Sequence, residues 1–271
     1  MLICIIKLMR IGSFLTSVGF MLYEQPLNEQ VRLCLRLEYL FDQADYYIAK
    51  ESLWDSHQML KVILEILQAI DRPDLRNKFF QTLNQYVHAL SQLEKLEGVD
   101  KQKLYGALKQ IDHLIDKLHG NQKKIGQELR ENEFLNTVQQ RLYTPAGTCG
   151  FSLPSYHLWM QQENVIRKQQ LTVWFSHFTE LQEIVNVILK LVRESTLFKV
   201  VNAQGGFYQS NLDPNNAYQL IRIKLPLNKN IFPEISVGRY RLAIHFFTLD
   251  TNGRAAQTSD DIKFELACCK M

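Results

Sequence analysis

The stretch that decides the fold is Leu181-Gln-Glu-Ile-Val-Asn-Val-Ile-Leu-Lys-Leu-Val-Arg-Glu-Ser-Thr-Leu-Phe-Lys-Val-Val-Asn-Ala203. Through Thr196, the apolar residues Ile184, Val185, Ile188, Leu191 and Val192 recur on one face of a 3.6-residue period, which predicts a helix. Near Phe198 the period changes. Further on, Ala217-Tyr-Gln-Leu-Ile-Arg-Ile-Lys-Leu225 alternates apolar and polar residues from Ile221, and Tyr240, Leu242, Ile244 and Phe246 alternate with Arg239, Arg241, Ala243 and His245. A period of two is the mark of a strand with one buried face. Residues 198–203 and 262–267 add two further strands, with turn chemistry at Asp213-Pro-Asn-Asn216 and Asp250-Thr-Asn-Gly253.

Upstream of that switch the apolar spacing is helical as far back as Asn28. Leu33, Leu37, Leu40, Phe41 and Ala44 form the first stripe, with Asn28 as its cap. Leu60, Ile63, Leu64, Leu67 and Ile70 form the second, which Asp71-Arg72-Pro73 ends because proline disfavours helical geometry in the residue before it. A third runs from Phe79 to Leu93 and is stopped by Gly98. A fourth runs from Leu104 to Leu118, capped by Asp100, with Gly120-Asn121 as its exit. A shorter helix is expected over 132–142, a loop with two Pro and two Gly over 143–154, and helices again over 162–175 and 181–196. Helices followed by strands predict an α+β protein, with an N-terminal all-helical domain at 23–197 and a C-terminal antiparallel β-sheet domain at 198–271. Residues 1–22 are expected to be a poorly ordered extension. They are apolar but interrupted by Lys7 and Arg10, too short for a membrane span and without the flanks of a signal peptide.

With 271 residues, 46% hydrophobic and 22% charged, the chain is long enough for about two domains with cores of their own. A formal charge of +3 is too small for whole-molecule attraction to nucleic acid or anionic lipid, so any basic site is local. Five Cys with no C-x-x-C pair suggest neither a disulfide framework nor a zinc knuckle, and suit a reducing cytosol. No catalytic, metal or cofactor site is expected. The seven His include no H-E-x-x-H, Gly205-Gly206 lacks the remainder of a phosphate-binding loop, and Asp112, His113, Asp116 and His119 read as a solvated helix face. Adjacent Cys268 and Cys269 on a strand point to opposite faces, so one is expected to pack inward.

Arg32 and Arg36 lie four residues apart on the first helix, where two like charges cost a few tenths of a kcal/mol. They either pair locally with Glu29 or Glu38, or grip an acidic partner in bidentate fashion. From Phe198 onward nine Lys and Arg stand against six acidic residues, which leaves a nucleic-acid-binding module using the β domain as an alternative.

Several separate motifs, in order, carry a resemblance to a known family. Tyr23-Glu-Gln-Pro-Leu-Asn-Glu-Gln-Val-Arg-Leu-Cys-Leu-Arg-Leu-Glu-Tyr-Leu-Phe41 resembles the opening of the ZapD family of FtsZ-associated cell-division proteins. Gln140-Arg-Leu142 leading into Pro145-Ala-Gly-Thr-Cys-Gly-Phe-Ser-Leu-Pro154 and His157-Leu-Trp159 resembles its central loop, and Gly206-Phe-Tyr-Gln209 and Phe264-Glu-Leu-Ala-Cys-Cys269 resemble its sheet domain. The resemblance implies a cytoplasmic homodimer at the division site that binds the FtsZ C-terminal tail, bundles filaments and stabilises the Z-ring, with no enzymatic activity, cofactor, nucleic acid or membrane span. It also implies tail-binding roles for Arg36 and His157. A third basic position of the family is Glu133 here, with Arg130 one turn earlier as its substitute. Arg32 and Arg141 join the expected site as neighbours.

Overall fold

A computed structural model describes residues 19–94, 100–120, 123–227 and 230–271. They divide into two compact units, one of Leu33–Val187 and the other of residues 19–32 with Ile188–Met271. Gly98, Asn121 and Lys229, and the expected extension as far as residue 18, lie outside the described residues.

The helical unit is built from α1 (Glu29–Ile48), α2 (Leu53–Ala69), α3 (Leu75–Leu93), α4 (Lys101–Gly120), α5 (Gln127–Arg130), α6 (Glu133–Leu142), α7 (Pro154–Met160), α8 (Asn164–Ser176) and α9 (Thr179–Glu194), with α1 and α9 divided between the two units. Its apolar stripes are the ones the spacing picks out: Leu33, Leu37, Leu40, Phe41 and Ala44 on α1 and Leu60, Ile63, Leu64 and Leu67 on α2 are all buried. Helix starts follow local chemistry. Asn28 Oδ1 accepts the Val31 amide at 2.8 Å, and Ser52 and Asp55 form a reciprocal capping box at the head of α2. Asp112, His113, Asp116 and His119 are exposed on α4, and among the described residues no three His, Cys, Asp or Glu side chains cluster as metal ligands. No described helix is long and apolar enough to cross a membrane.

The β unit is a pair of antiparallel sheets rather than one. The first runs in the order β1 (Phe20–Pro26), β4 (Tyr218–Pro226), β8 (Ile262–Lys270), β2 (Lys199–Ala203). The second runs β3 (Phe207–Asn211), β6 (Arg241–Leu249), β5 (Ile231–Val237), with β7 (Ala255–Gln257) also on β6. Ile221, Ile223 and Leu225 from β4, Ile262, Phe264 and Leu266 from β8, and Leu242, Ile244 and Phe246 from β6 share one core, with the Phe246 and Phe264 rings packed edge to face at 5.0 Å. Cys268 packs against this core while the fully buried Cys269 faces the other way, and burial pushes the Cys269 thiol up to about 11, so it stays protonated.

The sequence reading has no counterpart for α5, β3, β5 or β7, and it is further corrected at two places nearer the site. Residues 20–22, expected in the extension, are strand: β1 pairs with β4 from Phe20↔Pro226 to Pro26↔Leu220, so its backbone groups are satisfied by a segment about two hundred residues away. The two partners of Glu24 then come from the far end of the chain. Its carboxylate accepts from Arg193 Nη2 at 2.6 Å and from Arg222 Nε at 2.8 Å, and Arg222 also donates to the Arg193 carbonyl at 3.1 Å near the end of α9. The second departure is α7, which begins inside the expected loop. Pro154 sits in its first turn, where a missing N–H costs nothing.

Candidate functional site

The expected site residues fall into two groups according to whether something neutralises them. Arg32 is ion-paired with Glu29 one turn back, as the local-pairing reading has it. Arg36 projects from the exposed side of α1, and among the described residues it has no hydrogen-bond or ion-pair partner. The like-charge pair is therefore relieved at one member only. Arg130 is committed to the fold: its guanidinium donates to the Leu67 carbonyl at 2.8 Å and lies 3.3 Å from Asp71, tying α5 to the end of α2. These contacts already engage the guanidinium expected to stand in for the basic residue missing at Glu133, which is exposed on the first turn of α6.

Arg141 and His157 are both exposed, and one loop holds them. The chain turns back after α6, with the Thr144 amide on the Arg141 carbonyl, the Gly147 amide on Thr144 and the Cys149 amide on Ala146. Gly147 sits so close to Arg141 that a Cβ there would lie 2.2 Å from the Arg141 carbonyl oxygen. A Cβ on Gly150 would lie 3.3 Å from the His157 imidazole. Three residues of chain span at most about 11 Å. The loop thus clamps the end of α6 and the His157 ring within one short surface. Gly147→Ala is expected to break this arrangement, because the clash is with rigid backbone, at a cost of about 1–3 kcal/mol. Urea denaturation monitored by circular dichroism, with the His157 imidazole resonances as a local reporter, measures both effects. An unchanged midpoint and unchanged resonances would contradict it.

The support beneath His157 was not legible in the sequence. On α7, Tyr156 and Trp159 face inward while His157 and Leu158 face out. The Tyr156 hydroxyl meets His57 Nδ1 of α2 at 2.6 Å. Burial and the nearby Lys61 push the His57 imidazole down toward its neutral form, and burial pushes the Tyr156 phenol up to about 12, so the phenol donates and the imidazole accepts. Trp159 stacks on Trp174 of α8 with ring centroids 6.1 Å apart and donates its indole N–H to Gln170 at 2.6 Å. Arg167 is buried, donating to Ser56 Oγ at 3.2 Å and to the Met160 and Gln162 carbonyls at the end of α7. Its one trace in the sequence is a cation near an otherwise apolar face of α8. Between them, these contacts give α7 a fixed orientation.

The structure sets Arg141 and His157 at the two ends of one glycine-tied loop, leaves Arg36 without a partner among the described residues, and draws Arg32 and Arg130 into local pairs. No hydrogen bond or ion pair among the described residues joins Arg36 to the Arg141–His157 loop. In the β unit the cations are partly spent: Arg222 pairs with Glu24, Lys224 lies 3.4 Å from Glu265, and both sit over the Phe198 ring. Arg239 lies over exposed Tyr240.

The fold and site define an α+β protein that presents exposed cations on a firmly packed helical support. A family profile described as ZapD, a cell division protein, matches residues 35–245. The protein named Cell division protein ZapD from Coxiella burnetii (strain RSA 493 / Nine Mile phase I) is 44% identical over 251 residues, covering 92% of this chain and 97% of the relative. Proteins of the same name from Methylococcus capsulatus and Chromobacterium violaceum are 36% and 35% identical, over 91% and 92% of this chain and 97% and 98% of their own. The chain belongs to the ZapD family of cell division proteins.

Proposed function

We propose that this protein binds the C-terminal tail of FtsZ as a homodimer and cross-links FtsZ filaments at the division site, without chemistry of its own. The observation that carries the reading is a match to cell division proteins along nearly the whole chain. Arg36, Arg141 and His157 supply the cationic contacts, and Arg32 lends field rather than a free fork because Glu29 already holds it. FtsZ tails are displayed in many copies along a polymer, so two equivalent sites related by a two-fold axis gain avidity from effective concentration even when each contact is weak.

The test is co-sedimentation of FtsZ polymer with the protein over a salt series. Exposed charges are screened over about 10 Å at 0.1 M salt. Pelleting is therefore expected to be strong at low ionic strength and to fall steeply as salt rises through that range. Absence of the protein from the pellet at every salt concentration, or sedimentation as a monomer alone at micromolar concentration, would overturn the reading.

A further inference from the structure

The outward face of the second sheet departs from the usual chemistry of such a face. An antiparallel sheet packed on one side only carries polar residues on the other. Leu242, Ile244 and Phe246 of β6 turn into the core, so the residues between them turn out. Register sets the outward residues in rows: Phe207, His245 and Glu234 lie side by side across β3, β6 and β5, and Gln257, Phe247 and Phe232 across β7, β6 and β5. The Phe232 and Phe247 rings stack with centroids 5.8 Å apart, and the Phe207 ring lies 4.6 Å from the His245 imidazole. None of these four rings packs against the core, and all are partly exposed. Arginines stand at both ends of the aromatic rows. Arg241 opens β6 on the outward side, with Arg239 just before it, and Arg254 lies beyond the other end of the strand, which is about 26 Å long at its usual rise. All three arginines are exposed and make no ion pair among the described residues, whereas Arg222 and Lys224 of the first sheet are neutralised by Glu24 and Glu265. Glu234 is the one acidic residue among the outward positions described on these strands.

We propose that this face binds single-stranded nucleic acid, with bases stacked against the Phe232, Phe247, Phe207 and His245 rings and phosphates held by Arg239, Arg241 and Arg254. The inference is independent of the tail-binding reading and concerns a different unit of the chain. Charge complementarity and ring chemistry together select the occupant. Unneutralised arginines call for a polyanion, and flat rings on an open sheet call for a ligand that brings its own flat faces, a combination that unpaired nucleotides supply and duplexes, whose bases are already stacked, do not. A length of about 26 Å along β6 suits a site of about four nucleotides, the small end for surfaces of this kind. The small net charge of the chain is no obstacle, because the cations that matter are local to one face.

Fluorescence anisotropy of labelled oligo-deoxythymidine and oligo-uridine of about fifteen nucleotides, titrated with the full chain over a salt series, tests the inference, and the two probes decide between DNA and RNA. Binding of either strand is expected, with a log–log salt slope of about −2, since each phosphate contact contributes about 0.7 on a single strand. Phe247→Leu keeps an apolar side chain against Phe232 but removes the flat ring, and is expected to weaken binding about tenfold or more with the slope unchanged. Phe247→Tyr keeps the ring and is expected to bind like the parent. Arg241→Gln and Arg254→Gln are each expected to make the slope shallower by about 0.7. Circular dichroism melts check that every variant folds, and all four are expected to pellet with FtsZ polymer as the parent does. No binding of either probe at low salt overturns the proposal. Parent-like affinity in Phe247→Leu overturns the stacking platform, equal competition by a duplex of the same length overturns single-strand binding, and an equal loss in Arg36→Glu assigns the contact to the helical unit and overturns the site. A change in association state in Phe247→Leu without loss of probe affinity also overturns it, by assigning the face to a second copy of this chain.

Discussion

Arg36→Glu is expected to remove the protein from the FtsZ pellet while leaving its melting curve and sedimentation coefficient unchanged. Because Arg36 is exposed and has no partner among the described residues, its replacement breaks no contact seen there, and surface changes of this kind stay within about 0.5 kcal/mol. On the binding side, the reversal replaces an attraction for a carboxylate with a repulsion, a change of about 2–5 kcal/mol where the pair is desolvated. Bivalence multiplies the loss, since both sites of a dimer carry the change and each supports the other's effective concentration. Arg32→Gln is the control: Arg32 is already held by Glu29, so pelleting is expected to fall only modestly. Parent-like pelleting by Arg36→Glu at low salt would reject this surface as the tail contact.

The second large effect concerns stability. Glu24 is 13% exposed between Arg193 at 21% and Arg222 at 14%, and its carboxylate is paired with both. Glu24→Ala removes the carboxylate that two part-buried guanidiniums share, and removing one partner of such a cluster typically costs about 3–5 kcal/mol. Glu24→Gln keeps the shape and one acceptor, and is expected to fall between Ala and the parent. The more solvated Lys224–Glu265 pair, its side chains 35% and 32% exposed, provides the contrast, since Lys224→Gln should cost about 1 kcal/mol. Urea midpoints of the three variants decide the point. Equal, small shifts in all of them would show that the cluster contributes no more than a surface ion pair does.

Much of the fold is legible in the residues. The stripes of α1 and α2 and the alternation in β4 and β6 are local patterns, read correctly because burial of one face imposes the period of the element on its side chains. Asn28 and the Asp71-Arg72-Pro73 stop were equally readable, because caps and proline act on their immediate neighbours. The strand β1 was not. Phe20-Met21-Leu22 has no alternation, and all three residues remain exposed; what makes the segment a strand is a partner, β4, that no local pattern names. The start of α7 was hidden inside a segment with two Pro and two Gly, whose turn chemistry outweighs seven residues of weak helical signal.

For the candidate site, residue types were visible while availability was not. Arg32, Arg36, Arg130 and Arg141 are equivalent letters, and the opposing charge on Glu29 or Asp71 is legible only as a nearby residue. Packing decides which guanidinium finds a partner: Arg130 is turned inward onto the Leu67 carbonyl, whereas Arg36 is turned out. By itself, the amino-acid sequence determined the class of fold, the run of helices, the change to strands and the membership of the family, because these rest on periodicity and on motifs read along the chain. Only the tertiary structure decided that β1 joins the far sheet, that Glu24 binds two arginines from the far end of the chain, and that two glycines of one loop pack on the Arg141 carbonyl and the His157 ring. Each of these depends on groups distant in sequence meeting in space, and hydrogen-bond and charge pairing of that kind leaves no local periodicity to read.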